Sequence, residues 1–364
     1  MTPEKDGMTF RQYLAACCAS VFSPLSRLLP KAAVRSAGFS GWLAPLLAAV
    51  PLLLLVRSMH RLLTVDGRSC GLGEALELRT GKIPGKLLTG LLAVWLTVYG
   101  GFLLRSGAER LLSTVYHAGS LAFFLPALLF LSTVMAMGPL RAAGRCASVL
   151  LLLFVGALAL VLLLAIPAVK PVNLWPPELV QGPGLALSAL PVMDALSPWV
   201  YFSFLRGSVK GDERARQRGS RGMLAMLGLS LLFLVSTIGV LGAELCERLQ
   251  YPFFTMTKNL TLLNVMARFD ALVVVLWMMT DHVCISMILV SASEAFRGLL
   301  GKGRRRAYVL PLAALMIICA FLLSDNAFSF AWVSEKAVPA LNLCLAFGLL
   351  PALSLLPVKK ISEK

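Results

Sequence analysis

Acidic residues and histidine are scarce in this chain: 18 Asp plus Glu and three His stand against 34 Lys plus Arg in 364 residues. The three His (His60, His117 and His282) fall in different apolar runs or loops. No H-x-x-x-x-D or H-E-x-x-H is present, so a membrane-embedded enzyme such as an acyltransferase lacks its His-Asp or metal constellation. C-x-x-C is also missing. Cys17, Cys18, Cys70, Cys146, Cys246, Cys284, Cys319 and Cys344 lie mostly within or beside apolar runs. There Cys behaves as a small hydrophobe, and neither a disulfide framework nor a metal site is indicated. Charge of either sign is sparse, at 14% of residues.

What is present is apolar. Hydrophobic residues make up 58% of the chain and mean hydropathy is +0.81. A soluble domain of this size has no interior large enough to hide that surface. Ten apolar runs approach the roughly 20 residues a membrane helix needs. They cover 8–30, 40–60, 87–112, 119–138, 146–168, 184–205, 221–243, 269–296, 308–324 and 337–357. The expectation is one polytopic membrane domain over 1–364, all-α, with no soluble domain. The first run shows no short apolar core followed by a small-residue cleavage site, so it is expected to be a retained span. The stretch 252–266, PFFTMTKNLTLLNVM, is amphiphilic and is expected to lie at the interface or to re-enter.

Net charge is +16. In a soluble chain that would point to nucleic acid; here the cations cluster between spans, which fits orientation and anionic lipid headgroups. With the N-terminus placed inside, the inner loops collect 24 of the 34 Lys and Arg, among them Arg57, Arg61, Arg79, Arg214, Arg216 and the GKGRRR run at 301–306. The outer side collects nine, including Lys31, Arg35, Arg105, Arg110 and Lys336, and Arg27 lies within a span. Both termini are therefore expected in the cytoplasm, which requires an even number of spans.

Two segments repeat one feature. SVFSPLSRLLP (20–30) and DALSPWVYFSF (194–204) each place Ser-Pro inside an apolar run, at Ser23-Pro24 and Ser197-Pro198. Proline lacks an N–H and pushes the preceding residue from helical geometry, while Ser-Pro suits a helix start. Ten spans split five plus five, about 8–168 and 184–357, and the first span of each half carries the pair. That is an inverted repeat, and matched interrupted helices point to a transporter binding site. A helix N-terminus at mid-depth offers N–H donors suited to an α-carboxylate. The plainer reading is that each proline kinks its helix.

Other ionisable residues lie inside spans. Asp281 and His282 sit in WMMTDHVCISM; Asp281 can meet a substrate amine, H⁺ or Na⁺, or make a polar contact, for example with Asn342, and His282 can relay protons. The two point about 100° apart on a helix. Asp194 can bind an amine or cap backbone near Ser197. Arg105 and Glu109 are spaced to pair on one face, with Arg110 alongside at headgroup level. Arg27 either snorkels outward or attracts an anionic ligand to the outer vestibule. Tyr99 precedes Gly100 and Gly101, which allow close helix packing; Trp277 reads as packing.

Several segments together resemble a known family. They are AGFSGWLAPLLAAVPLLLL (37–55), GLGEALELRTGKIPGKLLTGLLAVW (71–95) and YPFFTMTKNLTLLNVMARFDALVVVLWMM (251–279), the last with Tyr-Pro, Arg268-Phe269-Asp270, and Trp277 seven residues after Asp270. The chain is similar over about 8–357 to the spore germination permeases, the B subunits of germinant receptors in the amino acid–polyamine–organocation superfamily. The resemblance implies ten helices in a five-plus-five inverted repeat, with discontinuous helices one and six holding the ligand, and a third helix, with Tyr99, bordering it. It implies as ligand a small amino acid or similar germinant. It implies as partners an A subunit and a C-subunit lipoprotein, and as location the inner membrane of a spore. No cofactor is implied beyond a possible coupling H⁺ or Na⁺. The ligand residues to expect are Ser23, Pro24, Tyr99, Asp194, Ser197, Pro198 and Asp281. The pattern departs at the first helix, where Ser23-Pro24 replaces the usual glycine and Arg27 follows, and at Ala267, where an acidic residue is usual. The alternative function is an amino-acid symporter of the same superfamily.

Overall fold

The computed structural model describes residues 7–175, 182–210, 214–260, 269–301, 303–324 and 326–358. A two-residue strand, β1 (Met8–Thr9), leads into α1 (Phe10–Ala37). A capping box starts that helix: Thr9 Oγ1 accepts from the Gln12 amide at 3.3 Å, and Gln12 Oε1 accepts from the Thr9 amide at 3.0 Å. A short 3-10 segment precedes α2 (Ala44–Leu63). The hairpin β2 (Thr64–Val65) and β3 (Arg68–Ser69) follows, turning at Asp66-Gly67, where both residues have positive φ. Then come α3 (Leu72–Thr80), α4 (Lys82–Thr114), α5 (Leu121–Met137) and α6 (Leu140–Ala165).

The second half begins with α7 (Gly182–Leu196), which passes into a 3-10 segment, Ser197–Ser208, and then β4 (Val209–Lys210). α8 (Ala215–Leu241), α9 (Ala243–Arg248) and α10 (Pro252–Lys258) follow. α11 (Phe269–Leu300) and α12 (Arg306–Leu322) come next. The last helical stretch is α13 (Ala327–Trp332), α14 (Val338–Leu343) and α15 (Leu350–Ser354), joined by π-helical segments Val333–Ala337 and Cys344–Leu349. Each π segment stands just before a proline, Pro339 or Pro351. A proline ring clashes with the carbonyl four residues back and donates no N–H, and the wider turn accommodates both effects.

Each of the ten expected spans falls on a helix. Among the described residues, seven helical stretches are long and apolar enough to cross a membrane, one of them comprising α1 and α2 together. α5 and α12, at 17 residues, are shorter apolar helices. Large apolar side chains such as Phe123, Phe130, Leu152 and Leu322 are exposed on the outer faces. That much uncovered hydrocarbon suits lipid rather than water. Of the amphiphilic stretch 252–266, α10 accounts for the first part, and 261–266 lies outside the described residues.

α1 and α11 form the centre, α1 packing against α6, α7, α8 and α11, and α11 against α4 and α5. Gly100 and Gly101 bring α4 onto α12: a Cβ there would meet Met316 at 2.5 Å and Cys319 at 2.7 Å. At one end of the bundle β1 pairs in parallel with β4, tying the start of α1 to the end of the 3-10 segment, and the Arg206 guanidinium lies 4.9 Å from the Phe10 ring centre.

The two Ser-Pro pairs behave differently. At Ser197-Pro198 the α-helix stops and a tighter helix of 12 residues begins, far longer than the three or four residues such helices usually run. At Ser23-Pro24 the expected break does not occur, and α1 is helical throughout with Pro24 and Pro30 inside it. The Ser20 and Ser26 hydroxyls fold back onto carbonyls of the preceding turn, those of Ala16, Phe22 and Ser23. Close packing against α6, α7, α8 and α11 holds the proline turns in helical register.

Candidate functional site

A cavity of about 410 Å³ lies between α1, α4, α7 and the last helical stretch. Arg27 from α1, Tyr99 and Phe102 from α4, Asp194 from α7 and Asn342 from α14 are among its walls. At its rim the Arg35 guanidinium donates to Glu335 at 2.8 Å, linking α1 to the π segment across from it.

The polar floor is a chain of hydrogen bonds. Trp95 Nε1 donates to the Tyr201 hydroxyl at 2.9 Å, Tyr201 donates to Asn342 Oδ1 at 2.7 Å, and Asn342 Nδ2 donates to Asp194 Oδ1 at 3.0 Å. The Ser197 hydroxyl donates to the Asp194 carbonyl at 2.7 Å. Asp194 therefore closes the last α-turn before the 3-10 segment, with its carboxylate held by an amide from a distant helix. A fixed carboxylate at a helix end is suited to an ammonium group or a cation. Tyr99 packs among Trp95, Phe102 and Tyr201.

Arg27 is 9% exposed, and its Nε has no partner among the described residues. Its guanidinium stands 5.5 Å from the centre of the Phe102 ring, where the aromatic face offers a weak attraction.

A second polar cluster is buried beside the cavity and does not line it. Arg110, 1% exposed, donates to the Ser23 hydroxyl at 2.8 Å and forms an ion pair with Asp281. Its guanidinium also lies 4.9 Å from the Trp277 ring centre, and Trp277 Nε1 donates to the Ser26 hydroxyl at 2.6 Å. This cluster fastens α4 and α11 to the Ser-Pro turn of α1. Gly107 leaves room for it, since a Cβ there would stand 3.2 Å from Asp281 Oδ2.

Of the expected ligand residues, the fold brings Pro24, Tyr99 and Asp194 to the cavity. Ser23, Ser197, Pro198 and Asp281 lie off it: Ser23 and Asp281 are engaged by Arg110, and Ser197 and Pro198 form the buried turn behind Asp194. Three details differ from expectation. Arg110 points inward rather than sitting at headgroup level, because a carboxylate on the facing helix receives it. Asn342 pairs with Asp194 and not with Asp281. The Arg105–Glu109 pair forms at 2.9 Å but Arg105 is buried, with Nη1 donating to the Ala320 carbonyl at 3.3 Å. His282 faces away from Asp281, its Nδ1 3.0 Å from the Ser132 hydroxyl of α5. Tyr201, Phe102 and the Arg35–Glu335 pair carried no motif. Asn342, the lone amide of an apolar span, was the sequence signal for the floor network.

Among the described residues no group of three or more His, Cys, Asp or Glu is placed to hold a metal ion.

In fold the chain matches a Na⁺-coupled sialic acid symporter, solved in a substrate-bound outward-open state with a novel Na⁺ site. The TM-score is 0.65 at 12% identity, over 96% of this chain and 78% of that one. No curated protein matches the sequence. The family model of spore germination proteins, the spore permeases, matches residues 25–328. An all-helical membrane chain with a symporter's fold, matched over most of its length by that model, belongs to the spore germination permease family.

Proposed function

We propose that this protein is the B subunit of a germinant receptor, binding a small amino-acid-type germinant in the cavity beside the α7 break and signalling germination. The observation that carries the reading is Asp194: a carboxylate fixed by Asn342 where a spanning helix changes form, facing a cavity sized for a small molecule. Its partners are the receptor's A subunit and C-subunit lipoprotein, and it resides in the inner membrane of the spore with both termini in the cytoplasm. Asp281 is already neutralised by Arg110, which leaves Asp194 as the carboxylate for a ligand amine or a coupling H⁺ or Na⁺.

The test is the germination response of spores carrying Asp194→Asn in the intact receptor, scored by loss of refractility against a panel of amino acids. The dose giving half-response should rise at least about tenfold, the scale of a lost charge-assisted hydrogen bond; an unchanged dose curve overturns the reading. The alternative, an amino-acid symporter, is favoured by the likeness to a Na⁺-coupled symporter. Gradient-driven uptake of a labelled amino acid by the purified protein in proteoliposomes would decide for it.

A further inference from the structure

α1 and α7 contribute unequally to the cavity. α7 offers a carboxylate at a genuine change of helix form. α1 is helical through Ser23 and Pro24, so its amide groups are committed to their own carbonyls and none is left to receive an anion. The Ser23 hydroxyl is likewise taken, by Arg110. Any acid group entering the cavity on the α1 side meets no main-chain donor.

One turn further along, it meets Arg27. Two guanidiniums are buried along this part of α1, and they differ in one respect. Arg110 has Asp281 as counter-ion, whereas Arg27 enters no ion pair among the described residues and keeps Nε without a hydrogen-bond partner. A buried charge without counter-ion or full hydrogen bonding is strongly unfavourable. The ring of Phe102 compensates only weakly. Lys31 and Lys336 at the cavity wall add positive charge, and Glu335 is already held by Arg35. With Asp194 and Glu335 as its carboxylates, the cavity wall still carries more positive than negative charge, and Arg27 is the buried cation on it that enters no ion pair among the described residues.

We propose that the Arg27 guanidinium binds the carboxylate of the cavity's ligand, a side chain of α1 replacing the main-chain donors of an interrupted helix, while the ligand's amine faces Asp194. The inference depends on the cavity being an amino-acid site and adds which group selects the acid end. A planar guanidinium engages a carboxylate through two parallel N–H donors, a geometry lysine does not reproduce. An α-amino acid is then distinguished from its α-amide by one residue.

The experiment uses the full chain, purified in detergent, and equilibrium binding of each of the twenty common L-amino acids beside its α-carboxamide. Wild type should bind at least one amino acid, and the matching amide at least about tenfold more weakly. Arg27→Gln should weaken the acid at least about tenfold and leave the amide within about twofold, with Arg27→Lys between wild type and Gln. An acid-to-amide ratio in Arg27→Gln equal to that of wild type overturns the role of Arg27 while leaving the amino-acid site standing. Wild type binding none of the twenty removes the site itself, and the role with it. Should the Gln variant fail to fold, the wild-type comparison suffices: equal affinity for acid and amide overturns the proposal.

Discussion

Asp281 shows how far a residue's meaning depends on its neighbour. In an apolar run it reads as a binding group; in the fold it belongs to Arg110, with Ser23 as the second acceptor. Replacing it with Asn leaves a buried guanidinium without its counter-ion, a loss of about 3–5 kcal/mol. Thermal unfolding of Asp281→Asn in detergent should show a clear drop in Tm, whereas Asp194→Asn, half-buried at a cavity wall, should lower Tm much less. A wild-type Tm for Asp281→Asn would remove the structural role assigned to the pair. Sequence alone made Asp194 and Pro24 candidates because each is polar or helix-breaking in an apolar run, and Tyr99 entered through the family resemblance, which implies that the third helix borders the site. It did not separate Asp194 from Asp281, since pairing across α4 and α11 links positions 171 residues apart.

At the scale of elements, the apolar helices were legible because lipid demands a fixed length of apolar residues, and that demand is written locally. The two Ser-Pro turns were legible only in part: the expected break occurs at Ser197 and not at Ser23, because whether proline ends a helix depends on what packs there. α1 is packed by neighbouring helices on several sides; the turn at Ser197 passes into a 3-10 segment instead. Pro24→Ala should therefore be tolerated, with ligand binding close to wild type. Ser197→Ala with Pro198→Ala should let the α-helix run on, displace Asp194 and abolish the ligand response while membrane insertion continues. Binding measured beside expression level distinguishes the two, and equal behaviour of the two variants would show that the α7 break does not shape the site.

For the whole molecule, the bias of Lys and Arg towards alternate loops predicts orientation. A fluorescent protein fused after Lys364 should fluoresce, and alkaline phosphatase at the same place should be inactive; the reverse pattern would invert the topology. The cations of the loops expected on the inner side also have structural work that charge counting does not reveal. Arg79 donates to the carbonyls of Leu62, Ser354 and Leu356, and Arg305 to those of Ala136 and Gly138. Burial pulls the Arg79 guanidinium below its usual range, yet carbonyl oxygens surround it.

The pairing of Met8–Thr9 with Val209–Lys210 couples the residues that lead into α1 to those just beyond the altered helix. A tug on either is felt by the other through main-chain bonds, whatever side chains flank them. Any rearrangement at this end of the bundle would therefore move the two segments as a yoked team, or begin by unhitching them.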